Sequence, residues 1–188
     1  MTLKTIKAQV VLVALLTLVL SGCSNSTLPS STPSLDDSSY EEYTPEPTLT
    51  AQDIVSATRK TFSWNRNGDC ANIYDSLYLS FTLTNISGKS IDAIELEAVI
   101  SDEFDDSLKT VSMQSSKTFA KGKKLVVGST GTKCFKLNNY DDGDNTILNW
   151  SSGDQGNLTL NLNRVKFVDG TVENYYGDQI YEESFTVQ

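Results

Sequence analysis

Histidine is absent from all 188 residues. Ser-His-Asp and Cys-His nucleophilic sites, His-based metal sites and His proton shuttles are therefore excluded. Cysteine occurs three times, at Cys23, Cys70 and Cys134. With no histidine and no close cysteine pair, a zinc-type ligand set cannot be assembled. Proline occurs four times, always between Pro29 and Pro47. No glycine-rich loop of the Walker or dinucleotide type is present. Basic residues are scarce, with no Lys or Arg between Lys7 and Arg59, and the formal net charge is -9. That balance argues against nucleic acid as a partner. No cofactor and no enzyme activity are expected from this inventory.

Long hydrophobic runs are equally few. The one long uncharged stretch, residues 8–20, follows Lys4 and Lys7. A positive segment followed by an apolar one of this length reads as a secretory signal. As a helix it would cover roughly 20 Å, short of the ~30 Å hydrocarbon core, so a permanent membrane span is not expected. The run stops at Leu20-Ser21-Gly22-Cys23. This tetrad resembles the lipobox of bacterial lipoproteins. The resemblance implies cleavage after Gly22 and acylation of the Cys23 thiol, which fixes the mature protein to a membrane on its extracytoplasmic face. More than one acyl chain, at about 0.8 kcal/mol per buried CH₂, gives lasting residence. Residues 1–22 are then the signal peptide.

Residues 23–50 are rich in Ser, Thr and Pro and carry Asp36, Asp37, Glu41, Glu42 and Glu46. Such a composition cannot bury enough apolar surface to offset its ordering entropy, so a disordered linker is expected. Its 27 residues beyond Cys23 would span roughly 30 Å r.m.s..

Residues 51–188 are long enough for one domain with a real core. Alternation with a period of two dominates there, and no segment sustains a helical period. In "SLYLSFTLTN", Leu77, Leu79, Phe81 and Leu83 share one face; "SIDAIELEAVIS" does the same with Ile94, Leu96, Ala98 and Ile100. Residues 125–127 and 134–137 supply shorter candidates. In "NLTLNLNRVKFVDGTVEN", Leu158, Leu160 and Leu162 share a face, and then Val165 and Phe167 take over with changed parity. A β-bulge at Asn163 and Arg164 accounts for the slip. Asp169-Gly170 is a hairpin signal. Residues 54–64 and 181–187 read as edge strands. About seven short strands separated by turns predict an all-β fold, an antiparallel β-sandwich.

The run "FTLTNISGKSIDAIELEAVISDEF", with "FVDGT" later on, is similar to the Ig-like, FxLYD-type domains of bacterial surface lipoproteins. That resemblance implies an Ig-like form of the sandwich and no particular activity.

With Cys23 acylated, Cys70 and Cys134 remain. They lie 64 residues apart. Export permits a disulfide between them, worth about 4 kcal/mol in the chain-entropy model; two free thiols are the alternative. Two acidic clusters stand out, Asp102, Glu103, Asp105 and Asp106 in the first, and Asp141, Asp142 and Asp144 in the second. Crowded carboxylates suit Ca²⁺, and the second set supplies candidate metal ligands, although Tyr140 and Asn149 break the EF-hand pattern. Solvated turns are the preferred reading of these clusters. Lys117, Lys121, Lys123 and Lys124 surround Gly122. They suit an anionic wall polymer or lipid headgroups, or a hairpin whose lysines deter edge pairing. The aromatic tail, with Tyr175, Tyr176, Tyr181 and Phe185, is either a recognition surface or a last strand on the core.

The expectation is a lipid-anchored envelope module that binds a partner protein or wall polymer. A structural or accessory subunit and a Ca²⁺-dependent binding module are the alternatives.

Overall fold

The computed structural model describes residues 48–65, 75–130 and 133–188. The signal segment, Cys23, most of the linker and Cys70 lie outside the described residues. Residues 48–50 are irregular and exposed.

Eight strands are present among the described residues, together with two short helices. A single turn, α1 (Ala51–Ile54), leads into β1 (Val55–Asn65), and β2 (Ser76–Asn85) follows. Next come β3 (Ile91–Asp102), β4 (Ser107–Ser115), β5 (Lys124–Gly128) and the two-residue β6 (Phe135–Lys136). Helix α2 (Asp142–Asn149) precedes the long closing hairpin of β7 (Gln155–Phe167) and β8 (Val172–Thr186). All pairings are antiparallel. One sheet has the order β1-β2-β5, with β6 also on β2; the other has the order β4-β3-β7-β8. The first, second and fifth strands thus form one layer, and the third, seventh and eighth the other, with the fourth beside the third. That is an Ig-like antiparallel β-sandwich.

The alternation seen in the sequence becomes the core. Leu77, Leu79, Phe81 and Leu83 are fully buried, and they share the interior with Ile94, Leu96, Ala98 and Ile100 of β3. Leu158, Leu160 and Leu162 of β7 join them, followed by Val165 and Phe167. The change of parity falls where the sequence places it. β7 pairs Leu162 with Leu96 and Arg164 with Glu95, leaving Asn163 as the extra residue.

The edge strands β1 and β8 meet along one side of the sandwich. The Arg59 guanidinium of β1 lies 2.9 Å from Glu183 Oε1 of β8. Phe62 meets Phe185 edge-on at 4.8 Å, and Trp64 meets Trp150 at 5.0 Å. At the far tip of the β7–β8 hairpin, Gly170 takes a φ of 89°. The Thr171 N–H donates to Asp169 Oδ1 at 2.9 Å. That bond, with help from the Thr171 hydroxyl and Lys89, lowers the Asp169 carboxyl from 3.8 to about 2. A carboxylate with a lowered folded value stabilises fully above its ordinary value and loses that effect as pH falls through the folded one. In an NMR pH titration the Asp169 carboxyl carbon should therefore move near pH 2, with the hairpin loosening only there.

Three elements differ from the sequence reading. β4 was not expected, because an edge strand with only Val111 and Met113 buried shows little alternation. Residue 54 ends a helical turn instead of starting a strand, and α1 is too short to carry a period. Helix α2 occupies a segment read as an acidic turn. Eight residues make about two turns, and only Ile147 and Leu148 supply its apolar side.

Candidate functional site

Strand β8 pairs Asp178 with Leu162 and Asn174 with Arg164. Tyr175, Tyr176 and Gly177 must therefore face the single residue Asn163. Tyr176 takes a φ of 52° and Gly177 one of 92°. Glycine accepts the left-handed region freely, but a bulky aromatic residue seldom does. The bulge sends the two tyrosines opposite ways. Tyr175 turns inward and is 7% exposed; Tyr176 turns out and is 90% exposed.

Beside this bulge lies an open groove of about 510 Å³, lined by Thr48, Leu49, Glu173, Asn174, Tyr176 and Asp178, with Tyr175 at its base. The Tyr175 hydroxyl donates to Glu173 Oε2 at 2.5 Å. Burial raises the Tyr175 phenol well above its ordinary value, and Glu173, Asp178 and Asp53 push in the same direction. Asp53 is itself committed, since its carboxylate accepts from the Thr50 N–H at 2.9 Å and the Thr50 hydroxyl at 2.7 Å. Those bonds lower the Asp53 carboxyl. Gln52 Nε2 donates to the Gln179 carbonyl at 3.2 Å, tying α1 to the strand that carries the groove. The result is an exposed π-face next to carboxylates on a braced edge. Chemically it suits a cation or a group rich in N–H donors.

The aromatic tail therefore divides. Tyr181 and Phe185 are half-buried against the core, and the Tyr181 hydroxyl donates to Glu183. Burial, then that bond, raises its phenol to about 12. Tyr176 alone of the four is offered to solvent. Gly177 within a strand pattern was the available sign of a bulge.

The acidic candidates serve the fold. Asp141 caps α2, its Oδ1 accepting from the Asp144 N–H at 3.0 Å, and Asp142 is exposed in the first turn. Asp144 does not belong to a solvated turn, since it is 2% exposed. Its Oδ2 accepts from Lys109 Nζ at 2.7 Å and from the Asn138 N–H at 2.8 Å. Asp141 caps the helix, Asp142 is solvated and Asp144 is buried against Lys109, so the three do not converge. Among the described residues no group of three or more His, Cys, Asp or Glu could hold a metal ion. In the other cluster, Asp102 Oδ1 closes the β3–β4 turn by accepting from the N–H groups of Phe104 and Asp106, both at 2.9 Å.

Lys117, Lys121 and Lys123 are exposed on the β4–β5 connection, and Lys124 is exposed at the start of the edge strand β5. Cys134 is a bonded cysteine and not a free thiol. Cys70 lies outside the described residues.

No family model and no curated protein matches the chain. Among solved structures, the Northeast Structural Genomics Consortium target SoR45 aligns at 10% identity and a TM-score of 0.39, over 72% of this chain and 89% of its own. A Bordetella pertussis protein assigned as ApaA aligns at 11% identity and a TM-score of 0.38, over 70% of this chain and 90% of its own. At that level of likeness neither bears on activity. Among the described residues no helix is long and apolar enough to cross a membrane.

Proposed function

We propose that this protein is a lipid-anchored, extracytoplasmic module that acts by binding, and that the β8 groove is its binding site. The single observation that carries the site is Tyr176, held 90% exposed on a left-handed backbone beside Glu173 and Asp178. Strained positions of this kind persist where the surroundings over-determine them, and they gather at functional sites. The partner is an envelope component presenting a cationic or N–H-rich surface. A net charge of -9 supports the same choice through long-range attraction. Anchoring is supported by the lipobox-like Leu20-Ser21-Gly22-Cys23 and the signal segment before it. Within this reading the bond at Cys134 is to Cys70, as expected for an exported chain.

A photo-crosslinking residue placed at position 176 in living cells tests the site. It should give a discrete adduct, weakened by raised salt, whereas the same residue at position 126, on the exposed outer side of β5, should give none. No adduct at position 176, or the same adduct from both positions, would remove the groove from consideration. Tyr176→Ala should lose the partner while leaving stability nearly unchanged, since the exposed ring contributes no core packing and alanine meets the same left-handed backbone.

A further inference from the structure

The end of the sandwich where the chain joins the domain is also its lysine-bearing end. The link is Asn85, the last residue of β2. Val55 pairs with Asn85, and the Ile86 and Ser87 N–H groups donate to the Ile54 carbonyl at 2.9 and 3.1 Å. On its other side the Asn85 N–H donates to the Lys123 carbonyl at 3.1 Å, and the Gly122 N–H donates to the Asn85 carbonyl at 2.7 Å. Residues 48–54 and the lysine loop are thus tied to one hub. Of the other charges nearby, Lys89 pairs with Asp169 at 3.1 Å and Lys166 with Asp92 at 3.4 Å, while the exposed Asp53 carboxylate is held by Thr50. Lys117, Lys121, Lys123 and Lys124 have no carboxylate partner among the described residues.

The same end exposes apolar side chains. Ile86 is 43% exposed and Val168 58%. The Val168 N–H donates to the Ser90 carbonyl at 3.0 Å, which places the hairpin tip beside the loop that carries Ile86. The opposite end has the reverse charge. Glu103, Asp105, Asp106, Asp141, Asp142 and Asp154 are exposed there. β2, with ten residues, separates the ends by roughly 30 Å.

We infer that this lysine end is a contact surface for an anionic bilayer, and that it sets the orientation of the tethered domain. The net charge of the whole protein is negative, so the question is which charges a membrane feels. The Debye length is about 8 Å at physiological salt. Lysines at the surface lie within that distance, and the acidic end lies several such lengths away, where its repulsion is screened. Each lysine near an anionic surface strengthens association about fivefold. Exposed Ile86 and Val168 favour a bilayer over a soluble anionic polymer, because headgroups overlie an apolar layer that such side chains can enter. The groove at Tyr176 is on the β8 edge, at the opposite side of the sandwich from β5, and remains free for its partner. The inference rests on the lipid-anchored reading proposed above.

Amine-reactive labelling of the native full-length protein on vesicles tests it, read by peptide mass spectrometry. On vesicles containing phosphatidylglycerol, labelling of Lys121, Lys123 and Lys124 should fall at least fivefold relative to Lys133 and Lys136. On phosphatidylcholine alone it should not fall, and high salt should restore it. A chain carrying Lys117→Gln, Lys121→Gln, Lys123→Gln and Lys124→Gln should still float with neutral vesicles, and its Lys89 should label equally on both lipids. Equal labelling on the two lipids overturns the inference, whether or not the protein is acylated. Protection by a soluble polyglycerol phosphate but not by vesicles overturns it in favour of a wall polymer. Failure of the unaltered protein to float with phosphatidylcholine speaks against the anchor alone, and protection on anionic vesicles still supports the surface in that case.

Discussion

Asn85→Ala should lower the unfolding free energy by about 3 kcal/mol, near the upper end of what one buried polar side chain contributes. Asn85 is fully buried. Its Nδ2 donates to the carbonyls of Lys89 at 2.9 Å and Phe119 at 3.0 Å. Its Oδ1 accepts from the Ser87 N–H at 3.0 Å and the Ser87 hydroxyl at 2.7 Å. Two donors and two acceptors are thus matched, and this fixes which way the amide points. Alanine removes all four bonds and leaves a cavity among three loops. Several of the abandoned groups keep a second partner, since the Phe119 carbonyl still accepts from the Ile91 N–H at 3.1 Å. That retention holds the cost near 3 kcal/mol instead of twice as much. Asn85→Asp is the informative control. It keeps the acceptor but turns a carboxylate oxygen toward the Lys89 and Phe119 carbonyls, so it should cost at least as much as alanine at neutral pH. Urea unfolding of the two variants measures this. An aspartate variant as stable as the parent would show that the amide is not engaged as described.

The second large effect concerns Lys109 and Asp144. The pair is asymmetric, with the Lys109 side chain 24% exposed and that of Asp144 2% exposed. Removing one partner of a buried pair costs about 3–5 kcal/mol when it strands a charge away from water. Lys109→Met strands the Asp144 carboxylate and should fall in that range. Asp144→Asn strands nothing, because the lysine can swing toward solvent, and a side-chain oxygen can still accept from the Asn138 N–H. Its expected cost is only about 1 kcal/mol. Asp144 Oδ1 has no hydrogen-bond partner, so the carboxylate already sits in a site that does not fully reward its charge. The double variant should accordingly be more stable than Lys109→Met alone. A double variant that equals the sum of the two singles would mean that the groups do not interact. Thermal unfolding of the three chains provides the comparison.

Legibility in the sequence followed burial. β2, β3 and β7 alternate cleanly because both sheets turn one face inward, and the slip at Asn163 was visible as a break in that alternation. β4 and α2 left weaker traces, since each buries only two apolar side chains and leaves the rest to solvent. The carboxylates of residues 141–144 looked alike as letters, yet one caps a helix, one is solvated and one is buried against a lysine 35 positions earlier. Nothing local distinguishes Asp144 from its neighbours, because its partner comes from another strand. The same holds at the groove. Tyr175 and Tyr176 are adjacent and chemically identical, and only the pairing of β8 with Asn163 decides which one meets solvent. Nothing in the letters sets Asn85 apart at the end of the strand run, although it knits together loops that are distant in sequence. The four lysines were evident from the start; their position at the end where the chain joins the domain was not.

The central claim is that this domain is held to a membrane outside the cytoplasm through Cys23. Intact-mass spectrometry of the protein extracted from its native cells tests that claim most directly. A chain beginning at residue 23, heavier by two or three acyl groups and lighter by two hydrogens for a bond between Cys70 and Cys134, is the expected result. A chain that retains residues 1–22 and carries no lipid would contradict it.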